Sequence, residues 1–86
     1  MKVKKLKAVV KAAPKYEPVG IYEEYIKLDS FLKLCNCVST GGEAKIRIQG
    51  GEVLVNGEVC IQRGRKLRPG DKVQLEGQRF EVAAAE

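Results

Sequence analysis

Residues 40–61 read TGGEAKIRIQGGEVLVNGEVCI, and within them the apolar period changes from helical to alternating. Thr40 stands three residues before Glu43, the spacing of a capping box. In that motif the hydroxyl accepts from the Glu43 N–H while the carboxylate reaches back to a free backbone donor. Ala44 and Ile48, four apart, give the helix its inward side, and Gly50-Gly51 ends it. Beyond the glycines, Val53 and Val55 share one face, Asn56-Gly57 follows, and Val59 and Ile61 resume the alternation. The tightest hairpin turn needs positive φ at both central residues, so Asn-Gly between apolar runs predicts a β-hairpin. One stretch therefore holds a helix and the strands that succeed it.

Working towards the N-terminus, DSFLKLCNC (29–37) predicts a short helix with Asp29 as N-cap. Leu28, Phe31, Leu32 and Cys35 form its buried stripe. EEYIKL (23–28) predicts a strand leading into it. Working towards the C-terminus, the run RGRKLRPGD (63–71) leaves the hairpin and turns at Pro69-Gly70. KVQLE (72–76) and RFEV (79–82) then alternate around a second tight turn at Gly77-Gln78. The order predicts an α+β fold, two short helices packed on one face of a small antiparallel sheet. Residues 1–20, with Pro14, Pro18, Gly20 and no clean period, are expected to be a flexible basic tail, and residues 21–86 the domain.

Charge divides the same way. Residues 1–20 hold six lysines and one acid, whereas residues 21–86 hold ten basic and ten acidic residues. The overall excess of +5 therefore belongs to the tail, and in the body only the placement of charge is informative. Eighty-six residues leave little room for a deep cleft. There is no histidine, no Ser-centred elbow and no phosphate loop with its Lys-Ser/Thr, so no catalytic residue is nominated and no enzyme activity is expected. Three cysteines without histidine make a poor metal site, because Cys35 and Cys37 would point to opposite sides of a helix. No metal or cofactor is expected. Unpaired thiols and the absence of a secretory signal or a ~20-residue apolar span predict a cytoplasmic protein without membrane contact, expected to be a monomer.

The chemistry that remains is cationic. Lys33 lies on the first predicted helix, Lys45 and Arg47 on the second, and Arg63, Arg65, Lys66 and Arg68 in the run after the hairpin. With the hairpin beside the second helix, Lys45 and the 63–68 run would flank one groove, where Lys and Arg neutralise phosphates irrespective of sequence. The same residues also fit a solvated face that keeps a small protein soluble, and spacing alone does not choose. With few aromatics and no tryptophan, structured RNA read by phosphates and shape is favoured over single strands stacked on rings.

The combined pattern resembles the ribosomal S-four RNA-binding domain (the αL motif), and among its members the small stand-alone bacterial ones. The matching residues are Leu28-Asp29, Thr40 with Glu43-Ala44-Lys45, Gly51-Glu52-Val53-Leu54-Val55-Asn56-Gly57 and Gly70-Asp71-Lys72-Val73, across residues 26–82. The resemblance implies an αL core that binds structured RNA, usually ribosomal or transfer RNA, with a ribosomal partner. It carries basic positions onto Lys45 and, more loosely, the Arg63–Arg68 run. Two positions depart from the pattern: Gly41 stands where larger members carry Arg, and Arg47 where an apolar residue is frequent. A protein–protein adaptor in a ribosome-associated assembly is the alternative. A ubiquitin-like sulfur carrier shares Val-Asn-Gly-Glu and a Gly-Asp turn. It needs a Gly-Gly terminus, however, and this chain ends Ala83-Ala84-Ala85-Glu86 after a two-helix segment and a meander.

Overall fold

The computed structural model describes residues 15–85. In chain order the elements are β1 (Glu17–Ile21), β2 (Ile26–Lys27), α1 (Leu28–Leu34), α2 (Gly41–Gln49), β3 (Val53–Val55), β4 (Glu58–Val59), β5 (Lys66–Leu67), β6 (Lys72–Leu75) and β7 (Gln78–Ala84). Five strands form one sheet in the order β1-β7-β6-β3-β4, and β2 and β5 form a separate two-stranded ribbon. The α+β architecture is as the sequence predicts, but the main sheet is mixed. β1 pairs parallel with β7, from Glu17 opposite Phe80 to Ile21 opposite Ala84.

That pairing moves the domain boundary. A tail ending at residue 20 would cut β1, whose residues 17–20 belong to the sheet. Pro18 signalled a loop, yet β1 is an edge strand, where a missing N–H interrupts no ladder. Residues 1–14 of the expected tail lie outside the described residues.

The core is one layer between helices and sheet. Leu28, Phe31 and Leu32 of α1 and Ala44 and Ile48 of α2 are fully buried. They meet Val53, Val55, Val73, Leu75, Phe80 and Val82 from alternate positions of β3, β6 and β7. Both helices end in Schellman motifs, which satisfy carbonyls that a helix otherwise leaves free. After α2, Gly51 (φ 79°) donates to Ile48 and Glu52 to Arg47. After α1, Asn36 takes the left-handed position (φ 63°), donating to Lys33 while Cys37 donates to Leu32. Because α1 stops there, Cys35 is its C-cap and sits half-buried at the rim of the core instead of within the stripe.

At α2 Thr40 caps the helix as expected, its Oγ1 accepting from the Glu43 N–H at 3.1 Å, and the Glu43 carboxylate reaches back one residue past the cap, Oε1 accepting from the Ser39 N–H at 2.9 Å. At α1 the expectation fails. The helix begins at Leu28, Lys27 is the N-cap without a side-chain bond, and among the described residues Asp29 Oδ1 accepts only from the neighbouring Ser30 N–H. The expected strand 23–28 shrinks accordingly to Ile26–Lys27.

Both hairpins close on two-residue turns with positive φ, Asn56-Gly57 and Glu76-Gly77. The second turn therefore sits one residue earlier than predicted. In the first, a two-residue turn sets Val55 opposite Glu58 and Leu54 opposite Val59. Opposed residues share a face, so Val59 joins Leu54 on the side away from the helices, and Cys60 turns inward. Val59 and Ile61 are 58% and 60% exposed while Cys60 is 7% exposed, the reverse of the sequence reading.

Candidate nucleic-acid interface

The run 63–68 is not a free loop. Lys66 and Leu67 form β5, paired antiparallel with β2 so that Ile26 opposes Leu67 and Lys27 opposes Lys66. Leu67 is completely buried, which pins the run to the core at its centre. The backbone on the N-terminal side of β5 closes the start of α1: the Leu28 N–H donates to the Arg65 carbonyl at 2.9 Å, and the Asp29 N–H to the Arg63 carbonyl at 3.1 Å. These carbonyls do what a capping side chain would otherwise do, which is why α1 dispenses with one. The run is thereby joined to α1, and no hydrogen bond among the described residues joins it to α2.

The C-terminal side is held by Asp71. One carboxylate oxygen accepts from the Arg68 N–H at 2.8 Å and the other from Asn56 Nδ2 at 3.1 Å, while Asn56 Oδ1 accepts from the Lys72 N–H at 2.9 Å. The Asn-Gly turn and the Pro-Gly turn are thus one hydrogen-bonded corner. Gly70 takes φ 103° within it and donates to Val82 at 2.8 Å.

Between these anchors the side chains of Arg63, Arg65, Lys66 and Arg68 are all exposed, with Lys27 across from Lys66. Sequence reasoning missed Lys27, because only the β2–β5 pairing brings residue 27 beside residue 66. Tyr25 completes the group. Lys66 Nζ lies 4.9 Å and Arg68 Cζ 5.9 Å from its ring centroid, within cation–π range. Among the described residues, none of these five cations is ion-paired with a carboxylate.

The other nominated residues lie on the two helices. Arg47 is committed elsewhere: its guanidinium bonds Glu52 Oε1 at 2.8 Å and also Glu76 Oε2. The two carboxylates, Glu76 foremost, hold it charged more firmly than an ordinary arginine. Lys45 is exposed on α2. Lys33, in the last turn of α1, lines an open groove with Ile21, Tyr22, Glu23, Ile26 and Leu34. The run's own cations are carried by the β2–β5 ribbon, which is hydrogen-bonded to the start of α1.

Among the described residues, no group of three or more His, Cys, Asp or Glu side chains comes together. The three cysteines are unbridged. Burial, then Cys37, then Glu17 push the Cys35 thiol up to about 12, and burial with Glu76 pushes Cys37 up too. Neither thiol is activated as a nucleophile.

Comparison with known proteins gives a consistent picture. A family model described as the S4 domain matches residues 19–83. The chain is 48% identical over 60 residues to the probable ribosome maturation protein RlbA of Bacillus subtilis, covering 70% of this chain and 84% of that one. Among solved structures it resembles the solution structure of YbcJ from E. coli, described as revealing an alfaL motif involved in RNA-binding. The TM-score is 0.59 at 25% identity, over 98% of this chain and 99% of that one.

Proposed function

The chain belongs to the S4 domain family, and from that premise we propose that it is a non-catalytic RNA-binding protein acting in the cytoplasm on the ribosome or its precursors. It recognises structured RNA, ribosomal or transfer, through phosphate and shape contacts. The observation that carries this reading is the β2–β5 ribbon with its approach. Lys27, Arg63, Arg65, Lys66 and Arg68 are exposed there without a carboxylate partner among the described residues, in a body whose basic and acidic residues balance. Charges left unpaired by the fold are available to phosphates, and each phosphate neutralised releases counterions. The RNA-binding motif described for YbcJ and the ribosome maturation role named for RlbA support it.

The test is binding to a structured ribosomal RNA fragment over a range of salt. The logarithm of affinity should fall linearly with that of salt concentration. Arg65→Gln with Lys66→Gln should flatten the slope by about 0.7–0.9 for each phosphate no longer neutralised. An unchanged slope would remove the ribbon from the interface.

A protein partner is a second reading favoured by one observation, the exposure of Val59 and Ile61 on the helix-free side of the sheet. Val59→Ser with Ile61→Ser would then abolish association with assembled ribosomal particles while leaving affinity for naked RNA intact.

A further inference from the structure

The ladder between β2 and β5 is two residue pairs long. Ladders so short have little stability of their own. Alternation sends Ile26 and Leu67 inward and leaves Lys27 and Lys66 outward, directly opposite one another. Opposed residues in an antiparallel pair have Cβ atoms only about 4.5–5.5 Å apart, and like charges there are destabilising. A carboxylate at either position would strengthen the ribbon; instead both are cations, and neither has an ion pair among the described residues. Extending the register by one pair sets Tyr25 against Arg68 on that same outer face, in accord with the cation–π distances of 4.9 Å and 5.9 Å from Lys66 and Arg68 to the ring. One face of the ribbon thus consists of three cations around one aromatic ring.

We infer that this face is a phosphate clamp: Lys27 and Lys66 grip the RNA backbone together, and Tyr25 is a positioning residue that holds Lys66 and Arg68 towards it. The inference rests on the RNA-binding reading and adds Lys27 and Tyr25 to the residues of that site. A bound phosphodiester removes the repulsion between the two lysines, so the energy the ribbon gives up in the free protein is recovered in the complex. The ring is engaged by two cations, so its role here is to position them rather than to stack on a base. The clamp therefore reads backbone, and its contribution is the same for any sequence of equal shape.

The experiment uses the full chain, with Lys27→Gln, Lys66→Gln, the double variant, Tyr25→Leu and Tyr25→Phe, and Arg79→Gln as a charge-matched control on the main sheet. In low-salt buffer Lys27→Gln should raise Tm by about 1–4 °C, the gain vanishing in molar salt. The double variant should gain no more than either single one, because each removal relieves the same repulsion. Lys27→Gln should weaken binding to the ribosomal RNA fragment about 3- to 10-fold and flatten the salt slope by about 0.7–0.9, with a smaller effect from Arg79→Gln. Tyr25→Leu should weaken binding and Tyr25→Phe restore it, since a phenyl face serves equally and the hydroxyl is dispensable. Wild-type affinity and slope in Lys27→Gln would overturn the clamp while leaving RNA binding intact. If the unaltered protein failed to bind the RNA, the wider reading would fall. Titration with tripolyphosphate would then decide the clamp, amide shifts confined to residues 25–27 and 65–68 supporting it and their absence overturning it.

Discussion

The Leu28 N–H donates to the Arg65 carbonyl at 2.9 Å, so the helix that sends Leu28, Phe31 and Leu32 into the core begins on the backbone of the segment that carries the cations. The bond uses main chain only, leaving the Arg65 side chain outside the fold's stability. Arg65→Gln and Lys66→Gln should therefore shift stability by no more than about 0.5 kcal/mol, measured by chemical denaturation, whatever they do to RNA binding. Arg65→Pro is the contrasting variant. It removes an N–H that donates to Gln62 at 3.1 Å and should cost at least about 1 kcal/mol.

Asp71→Ala should be costly for its position in a turn. It removes both acceptors that tie the Arg68 N–H and the Asn56 side chain to one corner. About 1–3 kcal/mol is expected, with a fall in Tm of several degrees by differential scanning calorimetry. Asp71→Asn, which keeps an acceptor, should lose less.

Arg47 is a test of whether a charge on the sequence is a charge in the site. Held by Glu52 and Glu76, its guanidinium is already neutralised by the fold. Arg47→Gln should change the salt slope of RNA binding less than Arg65→Gln does, in the same titration.

The cysteines give a pH-dependent prediction. With its folded pKa raised from the ordinary 9.0 to about 12, chiefly by burial, Cys35 stays protonated where a free thiol would ionise. Iodoacetamide at pH 8–9 should label Cys35 and Cys37 of the native protein slowly, and both rapidly after denaturation, as read by mass spectrometry. The linkage has a definite sign. Between about pH 9 and 12 the unfolded chain releases a proton that the folded one keeps, so this group's stabilisation is present below pH 9 and lost as pH rises through that window.

Truncation separates the tail from the sheet. Removing residues 1–14 should leave cooperative unfolding with Tm changed by a few degrees at most. Removing residues 1–20 takes Glu17–Gly20 from the ladder with Phe80–Ala83 and uncovers Val82 and its neighbours. It should lower Tm by about 10 °C or more, or abolish cooperativity, in a thermal melt followed by circular dichroism.

Whatever depends on neighbours along the chain could be read from the residues directly. The helix cap at Thr40 and Glu43, the end of α2 at Gly50-Gly51, the turn at Asn56-Gly57 and the buried pairs Ala44/Ile48 and Val53/Val55 are all local, set by side-chain hydrogen bonding, φ preference and period. The inversion at Val59 and Ile61 was legible too: a two-residue turn fixes which residues face each other, and counting across it turns Cys60 inward. The features that no local signal carries lie between segments far apart in the chain, and folding alone brings them together. Nothing local to Glu17–Gly20 says strand, because the partner is β7, some sixty residues on. Nothing local to Leu28 dispenses with a cap, because its acceptor is the carbonyl of Arg65. Nothing local to Lys27 marks it as part of the cationic site, because its neighbour there is Lys66. The run RGRKLRPGD announced the charge; the pairing of β2 with β5 settled which other residues share it.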